Sequence, residues 1–349
     1  MKLSIRRLAL ATALVLTLPA AAQSCTGDIF ANGIVNGADL GAMLSYWGPR
    51  TSDPFSVASD INGDGLINGG DLGALLSNWG PCPVLVPSWA TLVELTPDPA
   101  VVTDATLRAA ISASRLAWRV LDTATQIEML LVPSGTFTMG CTASNWVGCI
   151  GDENPTHLVT LTQAFYMGRY EVTQSQWVAG MGSNPSYFQG VNYPDAANRP
   201  VEYVSWNTIQ GYLSVTGMRL PSEAEWEYAC RAGTTTAFNN GSSDDATVGT
   251  IAWYNVNSGS QTHAVGGKAA NALGLYDMAG NLWEWVNDRY AVYSSEPQTN
   301  PLGPVSGTWR VLRGASWTYN TLNLRSSHRG YNTPVTAYYD IGFRVARNP

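Results

Sequence analysis

A repeated motif near the start of the chain restricts the fold more than any other feature of the sequence. The segment DIFANGIVNGADLGAMLSYWG begins at Asp28, and the near copy DINGDGLINGGDLGALLSNWG begins at Asp60. In the second copy, Gly65 stands where a calcium loop turns sharply. Around it lie oxygen donors at the ligand positions of such a loop: Asp60, Asn62, Asp64, the carbonyl of Leu66, Asn68 and Asp71. This pattern predicts a calcium-binding helix–loop–helix hand with Asp in place of the usual final Glu.

The first copy matches the calcium loop less well. Phe30 stands at the third loop position, where an oxygen ligand is needed. The remaining ligand positions carry oxygen-bearing side chains: Asp28, Asn32, Asn36 and Asp39. We therefore expect this loop to bind calcium weakly or not at all.

Each loop precedes a segment with the periodicity of an amphipathic helix. The apolar positions are Leu40, Met43, Leu44 and Trp47 in the first copy and Leu72, Leu75, Leu76 and Trp79 in the second. Gly48 and Gly80 follow and are expected to end the helices. We expect the two helices to bury these stripes against each other, and a Cys25–Cys82 disulfide to close the module.

Residues 25–82 as a whole resemble a dockerin module, a duplicated calcium loop in which each loop is followed by a helix. The resemblance implies a small all-α calcium-binding module that tethers a secreted protein to a cohesin-type partner. The positions just before the last ligand of each loop, Gly37-Ala38 and Gly69-Gly70, lack informative side chains for recognition. A self-folding calcium module without a partner is therefore an equal alternative.

The first 22 residues have the composition of a secretory signal peptide. Basic residues at the start are followed by an apolar run from Leu8 to Leu18 and by small residues up to Ala22. The run is about half of the roughly 20 residues that span a bilayer. We therefore expect cleavage after Ala22 and an extracytoplasmic mature protein without a membrane span; a membrane anchor is the alternative interpretation. The formal charge of -7 at pH 7 argues against a nucleic-acid partner.

Past the repeat, the composition changes twice. Residues 83–126 mix Pro with β-branched residues and predict an extended linker with one short helix capped by Thr103 or Asp104. Residues 127–349 show short strand patterns, many turns and two helices, one from Trp206 to Gly217 and one capped by Ser222. These features predict an α+β domain with much irregular, loop-rich structure.

The other cysteines are expected to behave differently from one another. Cys141 and Cys149 lie in one loop, and in an oxidising compartment we expect them to form a disulfide. Cys230 lies on the apolar side of a helical pattern, and we expect it to be a buried free thiol.

Seven motifs of the large domain occur in a fixed order. They are MLLVPSGTFTMG, ENPTHLVTLTQAFYMGRYEVTQSQW, RPVEYVSWN, GMRLPSEAEWEYACRAGT, GLYDMAGNLWEWVND, RVLRGASW and IGFRVAR. Together they make residues 127–349 closely resemble the formylglycine-generating enzymes, also called sulfatase-modifying factors. The resemblance implies a fold related to C-type lectins. It also implies an oxidase that converts a sulfatase Cys to formylglycine with molecular oxygen and a copper ion held by two Cys.

The chain departs from this family at the copper ligands, which the resemblance puts after Trp317. Tyr319 falls where the first Cys would be, and no Cys takes the second place. Copper(I) prefers thiolate over phenol or hydroxyl oxygen, so we expect no copper unless Cys141 and Cys149 reach this segment in a rearranged site. What remains is a predicted binding pocket of aromatic, hydroxyl, imidazole and guanidinium groups: Trp283, Ser316, Trp317, Tyr319, Arg325, His328 and Arg329. Two further arginines, Arg313 and Arg344, are expected to brace the fold.

The motif DMAGNLWEW implies a second calcium site through the same resemblance. Its ligands would be Asp277, the carbonyls of Gly280 and Leu282, and Glu284. In the alternative interpretation, Glu284 pairs with an Arg and Asp277 caps a turn.

Three functions follow from these observations. The first is a secreted, calcium-binding, non-catalytic protein that binds a peptide or a glycan, which makes the large domain a pseudoenzyme. The second is an oxidase of sulfatase cysteines, and the third is a mainly structural surface component. His328 could act as an acid or base, although a hydrogen-bonded position at the rim is the simpler expectation.

Overall fold

The computed structural model describes residues 25–30, 33–141 and 148–349. The predicted signal peptide and Asn32 lie outside the described residues. The chain divides into two compact units between Pro83 and Val84. In the part of the chain that is described, no helix is long and apolar enough to cross a membrane.

The small unit contains three helices and four two-residue strands. The helices are α1 (Gly37–Ser45), α2 (Pro54–Ser59) and α3 (Gly69–Ser77), and the strands are β1 (Ile34–Val35), β2 (Gly48–Pro49), β3 (Leu66–Ile67) and β4 (Gly80–Pro81). Strand β1 pairs with β4 and β2 pairs with β3, both antiparallel. The unit is therefore not purely helical as predicted, because the exit of each loop pairs its backbone groups with the residues that follow a helix.

The repeat is visible in the geometry of the two loops. Asn36 caps α1 and Asn68 caps α3, each in a capping box with the Asp three residues later. Met43 and Leu75 are fully buried in the core of this unit. The predicted burial of the whole stripes is wrong, because four of the large side chains remain about half exposed: Leu44, Trp47, Leu76 and Trp79. The Cys25–Cys82 disulfide is confirmed.

The large unit contains twelve of the described strands, arranged in three sheets. They are β5 (Ala90–Glu94), β6 (Arg119–Asp122), β7 (Glu128–Val132), β8 (Gly135–Met139), β9 (His157–Leu161), β10 (Phe165–Gly168), β11 (Trp283–Arg289), β12 (Gln298–Thr299), β13 (Arg310–Arg313), β14 (Arg329–Asn332), β15 (Ile341–Gly342) and β16 (Ala346–Arg347). The sheet orders are β16-β10-β7-β6-β5, β14-β13-β11-β15 and β12-β9-β8. Pairing is antiparallel except for β11 with β15 and β9 with β12.

The predicted linker is part of this unit, which corrects the domain boundary. Strands β5 and β6 extend the five-stranded sheet, and Val120 is fully buried. Arg119 forms ion pairs with Glu94 and Glu128 on the flanking strands. The helix within the segment is confirmed as α4 (Ala105–Ala113), with Asp104 as its cap. The Pro residues that suggested a linker lie outside β5 and β6, where they do not interrupt the sheet.

Besides α4, three further α-helices of the described residues precede the DMAGNLWEW motif in the large unit. They are α5 (Gln174–Met181), α6 (Trp206–Thr216) and α7 (Glu223–Arg231). The last two confirm the predicted helices, and Ser222 caps α7 as expected. Helix α5 was not predicted, although Thr173 and Gln176 form a capping box at its start.

Candidate functional site

The predicted pocket lies where strand β13 ends and the chain turns beside β11. Gly314 makes this turn with φ of +89°, and a Cβ there would come within 3.2 Å of the Trp226 ring. Trp317 donates its backbone N–H to the Asn281 carbonyl at 2.9 Å. The Tyr319 ring packs edge-on against Trp283, with ring centroids 5.3 Å apart. The structure thus brings two aromatic members of the predicted set together, whereas the ring of the third, Trp317, contacts Phe188 and Tyr339.

The arginines of the predicted set do not face a ligand, which corrects the interpretation of this motif. Arg325 donates two hydrogen bonds to Glu153, at 2.6 and 2.5 Å. Arg329 donates to both oxygens of Glu223, at 2.6 and 2.8 Å. All four side chains are buried. A buried guanidinium needs such a partner, because an unpaired charge is costly to desolvate.

His328 belongs to the same buried network. Its Nδ1 lies 3.4 Å from an oxygen of Glu153, and its Nε2 lies 3.0 Å from the Asn323 amide nitrogen. Ser327 donates to Glu153 at 2.6 Å. The Arg325, His328 and Ser327 hydrogen bonds hold the pKa of Glu153 down at about 2, against the opposing effect of burial. These contacts fit the simpler expectation for His328, a hydrogen-bonded position.

Among the described residues, no thiolate pair lies beside Trp317. Cys141 does approach the motif, with its Sγ 3.4 Å from Nη1 of Arg325. It is, however, bound to Cys149 in the predicted disulfide. Cys230 is the free cysteine; it is buried, and burial raises the pKa of its thiol to about 11. These sulfur atoms do not fit a copper(I) ion, which requires available thiolates.

An aromatic surface next to Trp317 was not predicted. We define it as five side chains joined by ring contacts: Tyr187, Phe188, Tyr193, Trp317 and Tyr339. Phe188 and Trp317 form its buried base, with ring centroids 5.6 Å apart. Tyr187 is 65% exposed and Tyr339 is 44% exposed. Because these rings come from three distant segments, the sequence alone gave no periodic signal for them.

Two carboxyl groups lie at the edge of this aromatic surface. Asp340 accepts hydrogen bonds from the hydroxyls of Ser316 at 3.1 Å and Thr318 at 3.5 Å. Glu202 is fully buried and accepts the Phe188 N–H through one oxygen at 2.9 Å. Its other oxygen has no hydrogen-bond partner among the described residues. Burial and the nearby Asp340 raise the pKa of Glu202 to about 7, and burial also raises the pKa of Asp340.

The predicted calcium ligands of the DMAGNLWEW motif do not form one site, because Glu284 is already engaged. It is fully buried, and its two oxygens accept hydrogen bonds from Arg344 at 2.7 and 2.6 Å. Trp226 donates to the same carboxylate at 2.7 Å. We therefore remove Glu284 from the ligand set, and its pairing with an Arg follows the alternative interpretation.

The other members of that motif lie in a turn where carboxylates crowd together. One oxygen of Asp277 accepts the Gly266 N–H at 2.7 Å, whereas the other is buried and has no partner among the described residues. Burial raises the pKa of Asp277 to about 6. Glu171 accepts the Leu282 N–H at 3.0 Å, and its pKa lies well above the usual range because of burial, Asp277 and Glu284. Sequence reasoning missed Glu171, which is remote in the chain.

The second repeat loop holds its predicted calcium ligands in one turn. Asp71 accepts backbone N–H groups from Ile61, Asn62 and Asn68. These bonds lower its pKa, although burial has the opposite effect. One oxygen of Asp60 accepts the Gly65 N–H at 3.1 Å. The other is buried and lacks a partner among the described residues, which is the state expected of a calcium ligand.

The surroundings of this loop set limits on how an ion would bind. Arg50 lies 3.2 Å from the hydrogen-bonded oxygen of Asp60. Within the described ranges, no three His, Cys, Asp or Glu side chains form a metal-binding group. The ion would therefore need the Asn62 and Asn68 amides and the Leu66 carbonyl beside Asp60, Asp64 and Asp71. In the first loop, Asp28 and Asp39 accept backbone N–H groups, and Phe30 packs on Phe55 with ring centroids 5.3 Å apart.

Comparison with known proteins decides the family of the large unit. Residues 119–349 match the family described as the sulfatase-modifying factor enzyme 1-like domain. The chain belongs to this family. The match begins at the start of β6, before the predicted boundary at residue 127. Formylglycine-generating enzyme from Mus musculus is 30% identical over 283 residues, covering 63% of this chain and 74% of the enzyme.

Other relatives carry different names. The serine/threonine-protein kinase pkn1 of Chlamydia caviae is 32% identical over 245 residues, which are 63% of this chain and 38% of the kinase. Among solved structures, Treponema denticola variable protein 1 superposes with a TM-score of 0.58 at 30% identity, covering 64% of this chain and 95% of that one. PvdO from Pseudomonas aeruginosa has a TM-score of 0.58 at 29% identity, covering 66% and 98%. Membership of the family therefore does not by itself assign an activity.

Proposed function

We propose that this protein is a secreted, non-catalytic binding protein whose large unit recognises a glycan through the aromatic surface. A peptide is the alternative class of ligand, and oxidation of a sulfatase Cys is the alternative activity. The observation that carries the proposal is the exposed aromatic surface over Trp317, at a place where the chain offers no thiolate. In this proposal the small unit serves as a calcium-stabilised tether.

The chemistry around Trp317 favours binding over oxidation. The nearby sulfur atom of Cys141 is held in a disulfide, and Tyr319 offers a phenol. The arginines of the motif are satisfied by buried carboxylates. Neither a redox centre nor a free cation for an anionic substrate is therefore supplied by the motif.

The aromatic surface has the composition of a saccharide platform. Exposed Tyr rings offer flat apolar faces on which the C–H groups of a sugar can stack, and their hydroxyls remain available for hydrogen bonds. At its edge, the partly exposed Thr318 hydroxyl and Asp340 carboxylate can exchange partners with sugar hydroxyls, and the buried Ser316 hydroxyl contacts both. An apolar face beside oriented polar groups is typical of a ligand site.

Substituting Tyr339→Ala is expected to weaken glycan binding by about tenfold, because the variant loses a stacking face worth about 1.4 kcal/mol. The measurement is a titration of the full chain with the best oligosaccharide from an array of neutral and sulfated glycans. Tyr331→Ala is the matched control, since Tyr331 is similarly exposed and its ring packs against Tyr290 and Trp309.

The same preparation separates the alternatives. If only peptides bind saturably, the ligand of the large unit is a peptide and not a glycan. Stoichiometric copper together with oxygen-dependent formylglycine in a Cys-containing sulfatase peptide would show that the protein is an oxidase. Equal losses of affinity in Tyr339→Ala and Tyr331→Ala would show that the glycan does not bind at the aromatic surface.

We also propose that the small unit binds one calcium ion in its second loop. The buried, unpartnered oxygen of Asp60 supports this, as do the Asn62 and Asn68 side-chain oxygens of the same loop, each of which is held by a backbone N–H. Exposed apolar side chains on the small unit support its role as a tether that binds a partner domain. Leu44 and Trp47 of the first copy are 52% and 50% exposed, and Leu76 and Trp79 of the second are both 50% exposed. The repeat thus presents the same apolar pair twice, and a cohesin-type domain is the partner that we propose for it.

Asp60→Asn is expected to reduce calcium affinity by at least about tenfold, because it removes one of the charged ligands. The measurement is calorimetric titration of the full chain, with a stoichiometry of about one expected for the unmodified protein. Asp28→Asn, the equivalent change in the first loop, is expected to leave that stoichiometry unchanged. If calcium binding persists in Asp60→Asn and is lost in Asp28→Asn, the assignment of the loops is reversed.

Capture of a recombinant cohesin domain should require calcium and should be lost in the Trp47→Ala/Trp79→Ala double variant.

A further inference from the structure

A cleft of about 360 Å³ lies in the large unit, and none of the five residues of the aromatic surface lines it. The titratable side chains that line it include His157 at the start of β9, Glu223 at the start of α7, Asp288 on β11 and Arg329 on β14. They are connected by direct contacts. The His157 and Tyr293 rings lie 4.8 Å apart, the Tyr293 hydroxyl donates to Glu223 at 3.0 Å, and Asp288 accepts the Glu223 N–H at 2.9 Å.

The cations of the cleft are already engaged by acceptors of the protein. Arg329 donates to both oxygens of Glu223 and to the backbone carbonyls of Asp152 and Ala291. Arg289 donates to the Gly307 carbonyl. An anionic ligand would therefore have to compete with a buried ion pair, which makes an anion a poor match for this cleft.

In contrast to the arginines, two hydrogen-bond acceptors of the cleft are only partly engaged by the protein. Asp288 is 4% exposed, and only one of its oxygens has a hydrogen-bond partner among the described residues. His157 is also 4% exposed; its Nδ1 lies 3.3 Å from the Pro155 carbonyl, and its Nε2 has no partner in the described ranges. With the proton on Nδ1, Nε2 is an acceptor. Neither atom receives a hydrogen bond from another group of the protein within the described ranges, so both can accept one from the donor of a ligand.

The charge of the cleft indicates that the donor of the ligand is a cation. Burial and the nearby carboxylate of Glu223 raise the pKa of Asp288 to about 8. Glu225 also raises the pKa of Asp288, whereas Arg329 and the Glu223 N–H lower it. Arg289, His157 and Tyr293 are the other titratable groups of the lining. A carboxyl group held in its neutral form gains stability from a nearby cation, which favours the ionised form.

We propose that this cleft binds a primary ammonium group attached to an apolar body. The ammonium group has three N–H donors, which match the free oxygen of Asp288 and Nε2 of His157. The apolar body would lie against the remaining lining, which includes Met139, Val292, Leu302 and Pro304. The source of the amine is either a free small molecule or the Lys side chain of a peptide, and both share this chemistry.

The test is calorimetric titration of the full chain with phenethylamine and with its neutral analogue 2-phenylethanol. Phenethylamine is expected to bind at least about tenfold more tightly than the alcohol, and Asp288→Asn is expected to remove this difference. Asn keeps an oxygen for the Glu223 N–H, so the variant should fold. Asp98→Asn, an exposed Asp to Asn change outside the cleft, is the matched control. A parallel titration with Nα-acetyl-lysine amide distinguishes a Lys side chain from a free amine.

Proton release provides a readout that a purely structural role would not change. At about pH 7, binding of the amine should release close to one proton, measured in buffers of different ionisation enthalpy, and Asp288→Asn should release none. The affinity should rise between about pH 6 and about pH 9 in the unmodified protein. Leu302→Trp, which fills the cleft, should abolish binding of both probes. Equal affinity for amine and alcohol, no amine binding, or unchanged amine binding in Asp288→Asn or Leu302→Trp would overturn the proposal.

Discussion

Replacing Arg344 with Met is expected to lower the free energy of unfolding of the large unit by about 3–5 kcal/mol. Arg344 is fully buried, donates to both oxygens of Glu284 and also donates to two backbone carbonyls. Glu171 and Asp277 lie close enough to raise its pKa further, along with Glu284. Removing this cation leaves three buried carboxyl groups without its positive charge. Differential scanning calorimetry of the full chain measures the loss as a shift of the transition of the large unit.

The control is the same substitution in a partly exposed pair. Arg219 makes a two-point ion pair with Glu225, but its side chain is 35% exposed, and Arg219→Met should cost no more than about 1 kcal/mol. If the loss in Arg344→Met comes from uncompensated charge, adding Glu284→Gln should restore part of the stability. Equal effects of Arg344→Met and Arg219→Met would contradict the argument.

Local patterns predicted much of the fold because they depend on neighbouring residues. The helix periodicities, the Ser222 and Asp104 caps and the two disulfides are confirmed. The linker prediction failed because Pro-containing composition does not reveal a strand that pairs with a distant one. Strand β5 becomes a strand only because β6 lies beside it.

The candidate site was predicted less well, because burial is a property of the folded chain. In sequence, Arg325 and Arg329 have the composition of an exposed donor pair, yet their partners Glu153 and Glu223 come from elements more than one hundred residues away. Tyr187 and Tyr339 likewise come together only in three dimensions. The departure at Tyr319, by contrast, could be recognised from the sequence, since it depends on the chemistry of a single position.

Glu153→Gln is the second substitution expected to have a large effect, about 3 kcal/mol of destabilisation near neutral pH. The Glu153 carboxylate is fully buried and holds Arg325, His328 and Ser327. Gln cannot neutralise the Arg325 guanidinium, so a buried charge remains without a partner. Chemical denaturation of the full chain, followed for the large unit, measures the difference. A loss below about 1 kcal/mol would mean that the ion pair does not stabilise the fold.

The pH dependence of Glu153 isolates the electrostatic part of this effect. Its pKa falls from an ordinary value of 4.5 to about 2 in the folded chain. A lowered carboxyl pKa stabilises the fold above the unfolded value and loses that contribution as the pH falls through the folded value, here about 3 kcal/mol between about pH 5 and pH 2. Asp277 and Asp288, whose pKa values are raised to about 6 and about 8, contribute with the opposite sign. Asp277 and Asp288 are present in the unmodified protein and in Glu153→Gln alike, so their contributions cancel. The difference in the free energy of unfolding between the two proteins should therefore shrink on acidification by the amount that Glu153 contributes. A difference that stays constant down to about pH 2 would show that Glu153 acts through packing and not through its charge.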